Sequence, residues 1–378
     1  MTLPRNDAGS PGPAGSQGPA GSSPGSPHAI IDIATAFWKS KVLLSAVELG
    51  IFTELSGRSR TAEELCARLG IKGRGAPDFL NSLVSLGMLE RTEGRYRNSP
   101  VAEEYLNPHK PATDVSGYLS FLNSGFGWWS RLSEGLRSGD RLDFSGALAE
   151  SGGGDGRTAG DGTLVEADAT SDTFGEAFAT PDQVTGFVRA MTGYSMGANQ
   201  AIATAFDWKP VRTVVDVGCS EGALLAQVLG AHEHLNGIGF DLPAVSDRFT
   251  HHLGQAGVTD RSRFAGGDFF HDPLPAGDVI VMGHVLHDWN LDIKQMLIRK
   301  AYDALPSGGS LLIYESLIDD DRRTNTTGML TSLNVSLVSA GGLGYTGAQC
   351  RDWLTAAGFR SVAVSHLDGP EYMVVGVK

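Results

Sequence analysis

Apolar and polar positions follow two different rhythms along this chain, and the change between them divides it. From Ile30 to Val47 apolar residues recur at helical spacing, and the run closes at Gly50, a helix stop. Thr61 and Glu64 have the spacing of a capping box and open a short helix, Ala62 to Leu69, with Gly70 after it. Pro77 to Leu86 predicts another helix, followed by Gly87. Met88 to Arg91 and Arg95 to Arg97 bracket Glu93-Gly94 and predict a hairpin. Beyond Val211 the rhythm changes. Val211 to Val217 is an apolar, β-branched run, as a buried parallel strand requires. Strands are then expected at Thr213 to Val217, Gly237 to Phe240, Arg263 to Ala265, Asp278 to Met282 and Ser310 to Tyr314. Helices fill the gaps, and an extended pair, Ser361 to His366 and Tyr372 to Val377, ends the chain. Alternation of this kind predicts an α/β fold, a mostly parallel sheet of seven strands covered on both faces.

Between these regions the pattern is less regular. Asp114 to Leu136 is rich in aromatics, Tyr118, Phe121, Phe126, Trp128 and Trp129 among them, which either line a pocket for a flat substrate or pack a core. Residues 139 to 170 turn Gly- and Asp-rich and predict a flexible surface insertion. Helical spacing resumes at Phe174, and Pro181 to Ala205 predicts one long helix. At the other end, residues 1 to 27 are mostly Gly, Pro, Ser and Ala, with Gly9, Gly12, Gly15, Gly18 and Gly21 every third residue. Five triplets are too few for a collagen helix, and the composition predicts a disordered tail.

The helices and hairpin before residue 100 have the pattern of a winged helix. Such a module either binds DNA through its second or third helix or serves as a scaffold for dimerisation. Its basic residues are interleaved with acids, as at Glu63-Glu64 and Glu103-Glu104, which favours the second use. A net charge of −13 also opposes a phosphate backbone, so no nucleic-acid partner is expected. The length of 378 residues, 41% hydrophobic and 19% charged, accommodates two domains. Three scattered cysteines, Cys66, Cys219 and Cys350, give no disulfide framework or zinc spacing, so neither a metal nor an oxidising compartment is expected. No run of 18 apolar residues and no secretory signal can be read, and a cytoplasmic location without a membrane partner follows as the expectation.

The chemistry gathers at strand ends, where ligands sit in an open α/β sheet. The first predicted strand ends in Asp216-x-Gly218 and a small loop, Cys219-Ser220-Glu221-Gly222. Its Gly-x-x-x-Gly spacing is not the Gly-x-Gly-x-x-Gly that cradles a pyrophosphate. An acid at the strand end suits a ligand with an ammonium or sulfonium charge, such as S-adenosylmethionine; the alternative is a plain tight turn. Asp241, 23 positions after Gly218, either accepts from ribose hydroxyls or caps the next helix. Asp268, in Gly267-Asp268-Phe269-Phe270, pairs an acid with an apolar face, as an adenine needs, or is a loop acid beside a core aromatic.

Asp216-x-Gly218, Asp241-Leu242-Pro243, Gly267-Asp268-Phe269-Phe270 and above all His284-Val285-Leu286-His287-Asp288-Trp289 resemble the plant caffeic-acid and acetylserotonin type of O-methyltransferase and its bacterial antibiotic-pathway relatives, from about Ile30 to Lys378. The resemblance implies a winged-helix dimerisation domain at 28–115, a helical connector at 116–205 and a Rossmann-like S-adenosylmethionine-binding domain at 206–378. It also implies a homodimer and a small hydroxylated, aromatic acceptor. By position, Asp216 and Gly218 take the methionine end of the cofactor, Asp241 the ribose, and Gly267, Asp268 and Phe269 the adenine. Ser195 matches a cofactor-contacting serine, and Phe187 and Met191 match pocket-lining positions. His287 matches the general base and Glu315 the carboxylate that orients it. A phenol with pKa about 10 is a poor nucleophile at neutral pH, and a neutral imidazole can take its proton as it attacks the methyl group. His284 is a second candidate base, and Asp288 reads as a helix cap.

Three positions depart from the family pattern. Many relatives have glycine at Cys219. Plant enzymes often have lysine at Gly283, which leaves only a backbone contact with the cofactor here, and they have a second catalytic glutamate at Gly344. Methylation of nitrogen or carbon, a non-methylating use of the fold, and a metabolite-sensing DNA-binding regulator are the competing functions.

Overall fold

The computed structural model describes residues 26–110, 112–139, 141–142, 164–165, 178, 180–339 and 341–378. The tail expected over 1–27 lies outside the described residues except for its last two. So does the insertion expected over 139–170, apart from Gly139 and a short pairing of β4 (Arg141–Leu142) with β5 (Leu164–Val165), and so does the helical spacing from Phe174.

The first module starts with α1 (His28–Glu48). Pro27 carries a helical φ of −68°, and its carbonyl accepts from the Ile30 and Ile31 amides, so the helix begins earlier than its first apolar residue. Gly50, at φ +72°, then turns the chain into a short helix absent from the sequence reading, α2 (Ile51–Leu55). A two-residue strand, β1 (Arg60–Thr61), follows, and then α3 (Ala62–Leu69), α4 (Ala76–Ser85), β2 (Leu89–Thr92) and β3 (Arg95–Asn98). The capping box forms: the Glu64 amide donates to Thr61 Oγ1 at 3.2 Å and the Thr61 amide to Glu64 Oε2 at 2.9 Å. Such a cap is worth about 1 kcal/mol. The three strands pair in the order β1-β3-β2 and pack with the helices over Phe52, Leu65, Leu80, Leu83 and Tyr96. The sequence predicts three helices and a hairpin here; the structure adds α2 and β1 to that order. Four of the module's arginines answer its own acids: Arg60 and Arg68 pair with Glu54, Arg95 with Glu64, and Arg97 with Glu90. By contrast, α1 leaves Ile30, Ile33 and Trp38 between 61% and 80% exposed, the mark of a surface made for association.

Helices α5 (Pro100–Tyr105), α6 (Ser116–Ser124), α7 (Phe126–Ser130) and α8 (Leu132–Ser138) lead to α9 (Pro181–Ala205), whose N-terminus is capped by Thr180. Gly193 brings α9 against α6; a Cβ there would meet Tyr118 and Val115 at 3.2 to 3.3 Å.

The second module is a seven-stranded sheet in the order β11-β12-β10-β9-β6-β7-β8. The strands are β6 (Thr213–Val217), β7 (Asn236–Asp241), β8 (Ser262–Gly266), β9 (Val279–Gly283), β10 (Ser310–Glu315), β11 (Ser361–Asp368) and β12 (Glu371–Val377). They match the sequence reading to within two residues at each end. β12 inserts between β10 and β11, antiparallel to both. Helices α10 (Ala223–Ala231), α11 (Ser246–Gln255), α12 (Leu291–Ala304), α13 (Thr326–Val338) and α14 (Gly347–Ala357) complete the module. Side chains alternate across the sheet: Val215, Val217 and Ile313 join one core, Val214, Leu312 and Tyr314 the other. The chain reverses its winding between β6 and β9, which opens a crevice beyond their C-terminal ends.

Candidate active site

Two groups of polar side chains meet at that crevice. The first follows β6 and β7. Gly218, Ser220 and Gly222 have φ of +74°, +52° and +82°, so the loop after Asp216 curls tightly back. Cys219 is not among the left-handed residues, and the thiol where relatives have glycine is accommodated without backbone strain. Asp241 Oδ2 accepts from the Ser220 amide and Oδ1 from the Leu242 amide, each at 2.7 Å. The cap alternative for Asp241 therefore fails, since α11 begins with no side-chain cap. Burial, with Asp241 nearby, pushes the Asp216 carboxyl up to about 8, and burial raises Asp241 to about 6 against the two amides. Neither acid is in an ion pair among the described residues. A buried acid beside a half-buried one, with no cation to answer them, fits a ligand that brings one, so these residues suit S-adenosylmethionine.

Further along the same edge, Asp268 Oδ1 accepts from the Phe270 amide at 2.8 Å, and Phe269 stands edge-on to Trp289 at 5.8 Å. Gly267 lies against the Phe240 ring, where a Cβ would come within 2.7 Å. Ser195 is buried on α9, beside the Tyr314 hydroxyl, which donates to Asn199 Oδ1 at 2.8 Å. Gly283 adjoins Tyr314 so closely that a Cβ would come within 2.0 Å of its ring. The space a lysine would take is filled by that tyrosine.

The second group follows β9 and β10. His287 lies in a turn, Leu286–Asp288, and its side chain is 11% exposed. Glu315 Oε1 accepts from the His287 amide at 3.1 Å, and Oε2 stands 3.8 Å from Nδ1. The carboxylate thus grips the backbone of the histidine and faces its ring without a direct hydrogen bond. Nε2 lies 3.5 Å from Asp288 Oδ1. Asp288 is not the helix cap expected of it: Asn290 caps α12, accepting from the Ile293 amide at 3.1 Å, because the turn over 286–288 ends before the helix begins.

Burial, reinforced by Lys294, lowers His287 to about 3, so the imidazole is neutral. Burial raises Glu315 to about 7 against the His287 amide. Lys294 is itself buried, and its Nζ donates to the carbonyls of Trp289 at 2.5 Å and Leu343 at 2.9 Å. Gly344 is a closed position: a Cβ there would meet Ser332 Cβ at 2.7 Å. Phe187 is half-buried against Phe178 at 5.4 Å and lies one helical turn from Met191, also half-buried. Tyr314, Lys294 and Glu371 went unnoticed in the sequence. The first two sit beside recognised residues, but Glu371 reaches the site only through the register of β12.

A sheet with this strand order, acids at successive strand ends and a crevice at its switch point defines a methyltransferase that uses S-adenosylmethionine. The chain belongs to the O-methyltransferase family: the family's O-methyltransferase domain matches residues 165–360, and its dimerisation domain matches residues 31–108. The tetracenomycin polyketide synthesis 8-O-methyl transferase TcmO of Streptomyces glaucescens is 40% identical over 93% of this chain and 97% of its own. The N,N-dimethyltransferase OxyT of Streptomyces rimosus is 31% identical over 93% and 96%. The crystal structure of human N-acetylserotonin methyltransferase in complex with S-adenosylmethionine superposes with a TM-score of 0.79 at 26% identity, covering 95% of this chain and 99% of that one. The protein is accordingly an S-adenosylmethionine-dependent O-methyltransferase. No helix among the described residues is long and apolar enough to cross a membrane.

Proposed function

We propose that this enzyme methylates a hydroxyl of a small aromatic metabolite, with His287 as general base and Glu315 as the carboxylate that positions it. The observation that carries the reading is a buried, neutral imidazole whose Nδ1 lies 3.8 Å from a buried carboxylate, at the strand ends next to the cofactor acids. The cofactor supplies an electrophilic methyl group and leaves as a neutral thioether. Asp216 and Gly218 hold its methionine end, Asp241 its ribose, Gly267, Asp268 and Phe269 its adenine, and Ser195 and the Gly283 backbone complete the contact. Phe187 and Met191 line the acceptor pocket. As the phenol proton moves to His287, an imidazolium forms in a site that disfavours it. The Glu315 carboxylate offsets that cost, which makes a weak resting base strong enough in the transition state.

The same reading makes the chain a cytoplasmic homodimer built through α1, with its dimerisation module at 28–115, a connector at 116–205 and the catalytic module at 206–378. The exposed apolar face of α1 supports it. The test is methyl transfer from labelled cofactor to a panel of phenols. His287→Ala should lower turnover by about 10²- to 10⁴-fold while the cofactor-induced rise in Tm persists. Turnover near wild type in that variant would reject the base.

A further inference from the structure

Next to His287, and unused by the chemistry above, lies a second histidine with a second buried carboxylate. His284 has φ +54°, a backbone strain that non-glycine residues rarely carry and that gathers where ligands are held. Its side chain is 6% exposed, and neither ring nitrogen has a hydrogen-bond partner. Glu371 Oε2, also buried and without a partner, stands 3.7 Å from His284 Nε2, too far for a direct bond. The rest of the surroundings is built to hold these two still. Ser316 Oγ donates to Glu371 Oε1 and lies 3.2 Å from the Tyr194 hydroxyl, while the Tyr194 ring covers His284 at 4.4 Å. A cavity of about 310 Å³ is lined by Tyr194, Ser316 and Glu371 but not by His284, which lies behind them. Buried polar groups left unpaired are costly, and so orderly a set of them marks a place where something else bonds.

We propose that His284 and Glu371 form a recognition pair for a second hydroxyl of the acceptor, one that is not methylated. The inference rests on the phenolic acceptor proposed above. A hydroxyl beside the gap between Nε2 and Oε2 donates to one and accepts from the other. Burial keeps His284 well below its ordinary pKa and lifts Glu371 to about 7, so the pair favours a neutral group over a second carboxylate. The rings of His284 and His287 are 5.7 Å apart, within reach of two oxygens on one fused aromatic system. His284 is thus a specificity residue that touches the acceptor, and Glu371 is a positioning residue that acts with it.

The test compares 1,8-dihydroxynaphthalene with 1-naphthol, by calorimetric binding to the enzyme saturated with the demethylated cofactor and by turnover. Wild type should bind the diol tighter by on the order of 10- to 100-fold, the value of a buried hydrogen-bonded hydroxyl. His284→Phe and Glu371→Leu should bring that ratio to within about threefold of one, with the loss in turnover falling on KM of the diol rather than on kcat. Glu371→Gln, which still hydrogen-bonds, should keep most of the preference. A cofactor-induced rise in Tm identifies the variants that fold. A wild-type ratio near one, or an intact ratio in His284→Phe with both ligands weakened alike, overturns the proposal and leaves the pair bridged by water. Binding without methylation of either probe counts against the acceptor class alone, while binding of neither rejects both readings.

Discussion

The two ends of the active site handle buried charge in opposite ways. At the cofactor end, a buried Asp216 and a half-buried Asp241 lie close together with no cation among the described residues to answer them. At the acceptor end Glu315 is buried and Asp288 half-buried, and Lys294 beside them lowers the carboxyls that burial raises. The difference follows from what each end receives. In the proposed roles, a bound sulfonium would bring its own positive charge to the first group. A phenol would bring none, and there the protein supplies Lys294, whose pKa burial lowers while Glu315 and Asp288 raise it. Lys294 also helps burial keep His287 neutral.

The severest test of this contrast is to remove the internal cation. Lys294→Met leaves the buried Glu315 and the half-buried Asp288 unanswered and frees the carbonyls of Trp289 and Leu343. Breaking such a group costs about 3–5 kcal/mol, and Tm should fall by on the order of 10 °C. A melting curve close to wild type would show that the acceptor end needs no cation, and the comparison would collapse.

A smaller effect sharpens the role of Glu315. Because His287 is already neutral above pH of about 3, its own ionisation cannot shape the profile near neutrality. Glu315, raised to about 7, can: its carboxylate forms as pH rises, and only the carboxylate stabilises an imidazolium. Single-turnover rates at saturating acceptor should therefore climb through pH of about 7. In Glu315→Gln they should be low and flat. A climb that survives this substitution would assign the ionisation elsewhere.

The smallest effect belongs to the cofactor end. Asp216 at about 8 is protonated in the free enzyme at pH 7, and a cationic ligand lowers its pKa, so binding should release about one proton. The sign makes affinity rise between pH 6 and 8. Calorimetry in buffers of different ionisation enthalpy reads this directly, and Asp216→Asn should abolish the buffer dependence. Proton uptake instead of release would mean that the acid is not paired with the ligand's charge.

The same contrast explains what could be read from the chain alone. The cofactor end is written locally: each acid stands within two residues of the end of its own strand. His287 and Glu315 also stand at strand ends and were legible. Lys294 was not, because a lysine inside an amphipathic helix looks like any solvated one until α12 is docked. Glu371 was hidden more deeply. Only the antiparallel register of β12 on β10, Tyr372 opposite Glu315, carries it to Ser316 and His284. Register between strands so distant in sequence leaves no local trace. Asp288 was misread by two positions for the opposite reason: the short turn through His287 uses it up before the helix starts.

The contact between Gly283 and Tyr314 also sets an order on how this site can change. A lysine at 283, as plant relatives carry, would drive its first carbon into the tyrosine ring. Tyr314 would have to shrink first. That earlier step would itself break the bond to Asn199 and open a gap in the core. Each single substitution is therefore harmful and only the pair is viable, so a lineage with this glycine is held on its side of a valley. Libraries that vary position 283 alone should return glycine, and lysine should emerge only when position 314 is varied with it.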